Sequence, residues 1–339
     1  MGREGQLSLW SAVLIFGASS AVTRKLTQIG AHHLVNGHNP ISMCNVLFVG
    51  NLCALLVLII VYRQQFSVRA LRSLSRQEGV GLVSVAVLAG AIAPGLIFWA
   101  LSLTTVNDVV LIGRLEPPLT LLLSLWFLKE RVNVWELLGA FVSFAGVGLS
   151  VILQPPQPGM MTIAGFQIGM GEIFTGLGAI ALSASTIMSK RWLGRVPLGA
   201  YSIVRTGLGT VIFFILALLL YGRDHFMQAF SPILWKWMLI YGPVIVVLGQ
   251  SLWVHGLRTS TVSQASLAGS FTPIAGFLFA YVILGEAPTL AQYIGGAIVL
   301  LGIGLSQIGI WRREALSKSE TESTQMSQAM EGKIGFKGF

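Results

Sequence analysis

The sequence predicts an all-α polytopic membrane protein, with ten transmembrane helices arranged as two inverted five-helix repeats. Three observations predict it. First, the 339 residues are 54% hydrophobic and only 10% charged, with a mean hydropathy of +0.76. A soluble domain needs roughly 25% charged residues to cover its surface, so lipid must cover much of this one. Second, apolar stretches of about 20 residues, long enough to cross a bilayer as a helix, occur ten times. Third, the segment from Val106 to Ile152 returns 156 residues later: Pro117 matches Pro273, Glu130 matches Glu286, and Gly139, Gly146 and Gly148 match Gly295, Gly302 and Gly304.

The ten stretches fall at about 7–29, 43–62, 80–103, 106–127, 134–153, 166–188, 200–221, 234–256, 259–284 and 290–310. Irregular backbone is not tolerated against lipid, so each is expected to be a helix. The period-2 alternation of a membrane β-barrel is absent. The first stretch follows MGREGQLSLW with no A-x-A-like cleavage site, so it reads as a retained helix rather than a signal peptide. Residues 1–153 form the first repeat, 154–165 a connecting loop with a rigid QPPQPGMM turn, and 166–311 the second repeat. Residues 312–339, rich in Ser, Thr, Gln and Glu, read as a disordered cytoplasmic tail. Cys44 and Cys53 lie in one apolar segment and suggest neither a disulfide scaffold nor a metal site. His32, His33 and His38 have no carboxylate or cysteine beside them and read as a polar loop.

The net charge of +9 points to loop placement rather than to nucleic acid. With the N terminus in the cytoplasm, ten spans return the C terminus to the same side. That side then holds 16 of the 22 lysines and arginines, including four arginines between the second and third stretches. The positive-inside rule therefore places both termini in the cytoplasm. Five spans per half turn the second copy upside down. Lys129-Glu130-Arg131 then faces inward and its counterpart Gly285-Glu286-Ala287 outward, without the flanking bases. Halves related in this way can open a central site to one side and then the other, which is the geometry of a transporter. No HExxH, P-loop or G-x-S-x-G is present, so neither an enzyme nor ATP-driven movement is expected, and no cofactor.

The segments RLEPPLTLLLSLWFLKERVNVWELLGAFVSFAGVGLSVIL and GSFTPIAGFLFAYVILGEAPTLAQYIGGAIVLLGIGLSQIG resemble the paired repeats of the EamA-like group within the drug/metabolite transporter superfamily. The resemblance covers about residues 7–310. It implies a ten-helix carrier of small organic solutes across the cytoplasmic membrane, most often outward. Substrates across the group include amino acids, purines and other metabolites, and organelle relatives handle sugar phosphates.

Residue chemistry narrows the candidates. Arg114 and Glu116 sit near the middle of the fourth span, where a charge is costly and must face the bundle interior or a cavity. Two residues apart on a helix, they point to opposite sides. Each is a candidate solute contact or a partner in an ion pair with another helix, for which Arg205 and Glu172 are available. Arg205 is also close enough to its helix end to snorkel. Trp99 and His255 are equivalent under the repeat, as are Pro94 and Gln250, which makes Trp99, Gln250 and His255 candidate solute contacts. His255, which titrates near neutral pH, is the candidate for proton coupling. Ser19 and Ser185 are small polar groups that either permit close helix contact or touch solute. Asp108 reads as an N-cap. Pro117, Pro273, Glu130, Glu286, Gly139, Gly146, Gly295 and Gly302 read as structural, with the glutamates capping their hairpins; the glycine faces also leave homodimerisation open. The leading expectation is a secondary transporter of amino acids or related metabolites. The rivals are a carrier of phosphorylated or nucleobase-type solutes and a non-transporting scaffold or sensor.

Overall fold

A computed structural model describes residues 3–34, 39–63, 74–129, 132–154, 161–163, 166–193, 196–221, 230–260 and 267–334. Among them, nine helices are long and apolar enough to cross a membrane, and a tenth, shorter apolar helix covers Asn45–Val61. We label the elements α1 (Arg3–Ala31), α2 (Met43–Val61), α3 (Arg76–Leu103), α4 (Val106–Leu128), α5 (Val134–Ile152), β1 (Met161–Ile163), β2 (Phe166–Ile168), α6 (Met170–Trp192) and α7 (Leu198–Tyr221). Then come α8 (Pro232–Tyr241, continued by Gly242–Leu248 and Gly249–Thr259), α9 (Leu267–Leu284) and α10 (Leu290–Ile334). Large apolar side chains such as Trp126 at 78% exposure, Phe141, Leu219 and Val282 point out of the bundle, as lipid contact requires. The protein is a multi-pass membrane protein.

Helix starts follow local chemistry. Ser75 opens α3 with a reciprocal capping box to Glu78, and the Asn133 side chain accepts from the Trp135 N–H at the start of α5, each satisfying amides that a first turn leaves open. At α4 the N-cap is Thr105 rather than Asp108. Its hydroxyl oxygen accepts from the Asp108 N–H at 3.2 Å, and Asp108 sits three residues in. Both α4 and α9 end in a π-helical turn, Ser124–Leu128 and Ala280–Leu284. Each turn is closed by a left-handed residue, Lys129 at φ 53° and Gly285 at φ 72°. Pro117 and Pro273 each begin the second piece of their helix, after a 3-10 turn at Gly113–Leu115 and a break at Phe271. A proline cannot donate to the preceding turn, which makes that break inexpensive.

Helix α2 lies against α7, and α5 against α10; α1 lies against α8 and α9, and α6 against α3 and α4. Under the 156-residue offset this list maps onto itself with partners exchanged. The tightest seam is α5–α10, which run antiparallel. A Cβ on Gly302 would lie 2.6 Å from the Gly139 carbonyl oxygen, and one on Gly295 2.7 Å from that of Gly146. Backbone therefore meets backbone, and the smooth faces that suggested homodimerisation are used inside the chain at these four glycines.

Three features differ from the sequence expectation. The connecting segment contains a small antiparallel hairpin, with Met161 opposite Ile168 and Ile163 opposite Phe166, so α6 begins at Met170 and not at 166. Helix α10 continues to Ile334 where an irregular tail was expected; the Glu, Lys, Gln, Ala and Met content of 314–333 has good helix propensity even without a core to bury. Glu286 does not cap its own hairpin. Its Oε2 accepts from the Val106 N–H at 2.9 Å and so caps α4 from across the chain. Glu130 lies outside the described residues.

The seam yields a prediction of opposite signs. Gly139→Val should lower the unfolding midpoint in detergent, since overpacking costs about 1–3 kcal/mol. Gly148→Ala faces open space and should be neutral or stabilising by up to about 1 kcal/mol. Equal shifts in the two variants would contradict the packing.

Candidate solute-binding cavities

Two cavities lie inside the bundle. The first, about 250 Å³, is enclosed by α1, α2, α3, α7 and α8, and its polar lining includes Asn51, Arg205, Thr206, Tyr241 and Gln250. The second, about 360 Å³, lies among α4, α5, α8, α9 and α10, with Arg114, Glu136, Ser143, Ser270, Ser306 and Gln307 on its walls. Phe16 lines the first and Trp253 the second. Their rings meet edge to face at 6.3 Å, forming a partition. Glu116 is half-buried and within electrostatic reach of both Arg114 and Arg205, one guanidinium in each cavity.

The two arginines are used differently. In α3 the residues Leu88–Ile92 form a π-helical turn in which the Ala93 N–H donates to the Leu88 carbonyl. In that register the next carbonyl, Ala89, would take a proton from residue 94, which is a proline and has none. Arg205 fills the vacancy: its Nε and Nη2 donate to the Ala89 oxygen at 3.2 and 3.1 Å. Arg205 is thus tied to backbone rather than snorkelling. Arg114 has no such tie. Its Nε is buried without a hydrogen-bond partner, and the one ion pair among the described residues is Arg24–Glu286, elsewhere. Arg114 and Glu116 therefore do not pair with each other, as their spacing implied.

Among the remaining candidates, Gln250 lines the first cavity and Pro117 the second. Trp99 is 48% exposed and stacks on Phe174 at 5.3 Å. His255 is exposed. The Ser19 hydroxyl donates to the Phe16 carbonyl within its own helix, and Ser185 is buried. None of these four lines either cavity. Asn51, Tyr241 and Gln307 were missed. An amide inside the otherwise apolar α2 is a signal that could have found Asn51. Tyr241 shares a 2.7 Å hydrogen bond with Thr23 of α1, which only the folded chain reveals.

At one end of the bundle a partly buried polar network joins the α3–α4 turn to α1, α6, α10, the α9–α10 turn and Gln154 just beyond α5. Arg24 of α1 pairs with Glu286 at 3.3 Å and donates to the Thr104 carbonyl. Asp108 accepts from the Thr105 hydroxyl at 2.6 Å, from Gln154 at 2.6 Å and from Gln292 at 2.8 Å. Thr104 Oγ1 lies 2.9 Å from Glu172 of α6. This network fastens the helices together at that end.

The sequence profile of the EamA-like transporter family matches residues 4–152 and again residues 169–307. The chain belongs to this family. Like other EamA-like proteins of the drug/metabolite transporter superfamily it is a secondary transporter of small solutes across a membrane, and not an enzyme. It is 45% identical over 327 residues, covering 96% of this chain and 93% of the relative, to an uncharacterized transporter of Synechocystis sp.. It is 24% identical over 197 residues, 56% of this chain and 63% of the relative, to a probable amino-acid metabolite efflux pump of Salmonella typhimurium. One solved crystal structure, 20% identical, matches 92% of this chain and 99% of its own with a TM-score of 0.58, a likeness of fold. Family membership sets aside the scaffold reading.

Within this EamA-like bundle, Arg205 is predicted to be a structural clamp. Arg205→Ala should cost about 1–3 kcal/mol by leaving a buried carbonyl unpaired, seen as a lower unfolding midpoint in detergent. An unchanged midpoint would remove the clamp.

Proposed function

We propose that this protein exports amino acids or related carboxylate metabolites across the cytoplasmic membrane by alternating access. In this reading two inverted five-helix halves, 1–153 and 166–311, rock about a central site, with both termini in the cytoplasm. The observation that carries the substrate class is Arg114: a guanidinium on a cavity wall whose Nε has no hydrogen-bond partner. A buried guanidinium N–H without an acceptor is costly, and a bidentate carboxylate is the ligand that fits a guanidinium fork. Ser270, the repeat equivalent of Arg114, lines the same cavity and is suited to a neighbouring polar group. Glu116 lines neither cavity; Glu136, on the wall shared with Arg114, is the carboxylate suited to an ammonium.

Two considerations separate this reading from its rivals. Phosphorylated solutes call for two or more cations, and Arg205 is already engaged with Ala89. An uncharged nucleobase would leave the Arg114 guanidinium without the charged acceptor that its fork fits. The partly matching Salmonella relative, described as a probable amino-acid metabolite efflux pump, points the same way. Gln250, Tyr241 and Asn51 would meet the rest of the solute on its way past the Phe16–Trp253 partition.

Efflux from proteoliposomes loaded with labelled amino acids tests this. Arg114→Ala should raise KM about 10- to 100-fold, equivalent to a charge-assisted hydrogen bond of about 1.5–3 kcal/mol. It should also abolish the preference of the intact protein for an amino acid over its carboxamide. Unchanged discrimination in Arg114→Ala would exclude Arg114 from the site.

A further inference from the structure

Among the described residues the polar network at the α3–α4 end of the bundle joins three carboxyl groups to one cation, Arg24, and its hydrogen-bond count does not balance if all three are ionised. Arg24 is committed to Glu286. Asp108, 2% exposed, is matched as a carboxylate by donors from Thr105, Gln154 and Gln292. Glu172, 6% exposed, has only the Thr104 hydroxyl, 2.9 Å from its Oε1, while its Oε2 is buried with no partner. The same hydroxyl lies 3.1 Å from Asp108 Oδ2. One hydroxyl proton shared between two carboxylates gives each of them at most part of a three-centre bond, too little for a buried charge at Glu172 that has no other donor.

We infer that Glu172 is a proton-binding site, and that this end of the transporter closes only when Glu172 carries the proton. The balance is then complete. A proton from water adds to the carboxylate at Oε1, the resulting O–H donates to Thr104 Oγ1, and the Thr104 hydroxyl donates to Asp108 Oδ2. The unpartnered Oε2 becomes a neutral carbonyl oxygen, which is far cheaper to bury than a charge. Gly169 leaves the space in which this group sits, since a Cβ there would collide with Oε2. The ionisable groups facing Glu172 are Asp108 from α4, Arg24 from α1 through the Thr104 carbonyl, and Glu286 from the α9–α10 turn. Residues 79–103 of α3 contain no ionisable side chain. The Arg24–Glu286 pair is internally neutral, so a proton on Glu172 leaves Asp108 as the single excess charge, spread over neutral donors.

The consequence is directional. When α1 and the α9–α10 turn withdraw from the α3–α4 turn, breaking the Arg24–Thr104 and Glu286–Val106 contacts, water reaches Glu172, which can then release its proton; reclosing requires a proton to return. The inference does not depend on which solute binds at Arg114. Unlike exposed His255, Glu172 is placed where protonation and closure meet at one residue, Thr104.

Two measurements on the purified full-length protein test it. Infrared spectroscopy should show a protonated-carboxyl C=O band that titrates away with rising pH, is missing in Glu172→Gln and is retained in Asp108→Asn. A band of the same intensity in Glu172→Gln would overturn the assignment. For closure, Val109→Cys places a thiol in the first turns of α4, buried at this end, in a background lacking Cys44 and Cys53. Its alkylation rate, divided at each pH by that of the same protein unfolded in denaturant to remove the thiolate dependence, should climb about tenfold per pH unit above the titration midpoint, as linkage to one proton requires, and this ratio should stay low and flat when Glu172→Gln is added. A ratio independent of pH in the parent, or the same pH dependence with and without Glu172→Gln, would overturn the link between proton and closure. Neither readout requires transport, so a failed efflux assay would leave this inference standing.

Discussion

Backbone meeting backbone without a side chain between is the constraint on which this bundle depends. Lipid offers no hydrophobic drive for helices to associate, so close packing has to supply it. The α5–α10 seam does so at Gly139 against Gly302 and Gly146 against Gly295. Elsewhere Gly242 approaches the Gly50 carbonyl and Gly209 that of Gly90, and Leu9 of α1 packs over Gly256. The self-paired helices, α2 with α7 and α5 with α10, join the two halves. The exchanged pairs leave α1, α8 and α9 on one side and α3, α4 and α6 on the other.

Polar groups enter this apolar packing where helices are interrupted. The π turn before Pro94 frees the Ala89 carbonyl and draws in Arg205. The 3-10 turn before Pro117 and Pro118 carries Arg114, which opens on a cavity. The turn between α3 and α4 carries Thr104, Thr105 and Asp108, and the network there fastens one end of the bundle. In the proposed reading each interruption supplies one working part: a clamp, a solute contact and a seal. Their separation along the bundle fits a carrier whose seal is distinct from its binding chemistry.

Much of this was legible in the sequence because its signals are local or periodic. Span lengths, the 156-residue offset, the glycine ridge and a guanidinium in mid-span follow from hydropathy and spacing. Arg114 was legible because an arginine far from either helix end must be explained. Gln250, singled out through its equivalence to Pro94, lines a cavity, whereas Trp99 and His255, singled out in the same way, line neither of the two, since equivalence in sequence does not fix which face of a helix turns inward. The seal was not legible: Arg24, Thr104 with Asp108, Glu172, and Glu286 with Gln292 come from four separate stretches, and no spacing rule relates the four. Glu286 looked like a local cap because its cross-chain role depends on where α4 begins. The destination of Arg205 depended on a π register that a proline hints at but does not specify.

The most direct test of alternating access measures both ends at once in the reconstituted protein. One pair of spin labels at exposed Ser102 and Val282 reports the sealed end, and another at exposed Gln77 and Thr259 reports the opposite end. Each pair spans the two helix groups. Distances are read with and without a saturating mixture of amino acids. The account predicts that ligand moves the two distances in opposite directions, one end opening as the other closes. Distances that stay fixed, or that widen and narrow together, would contradict it.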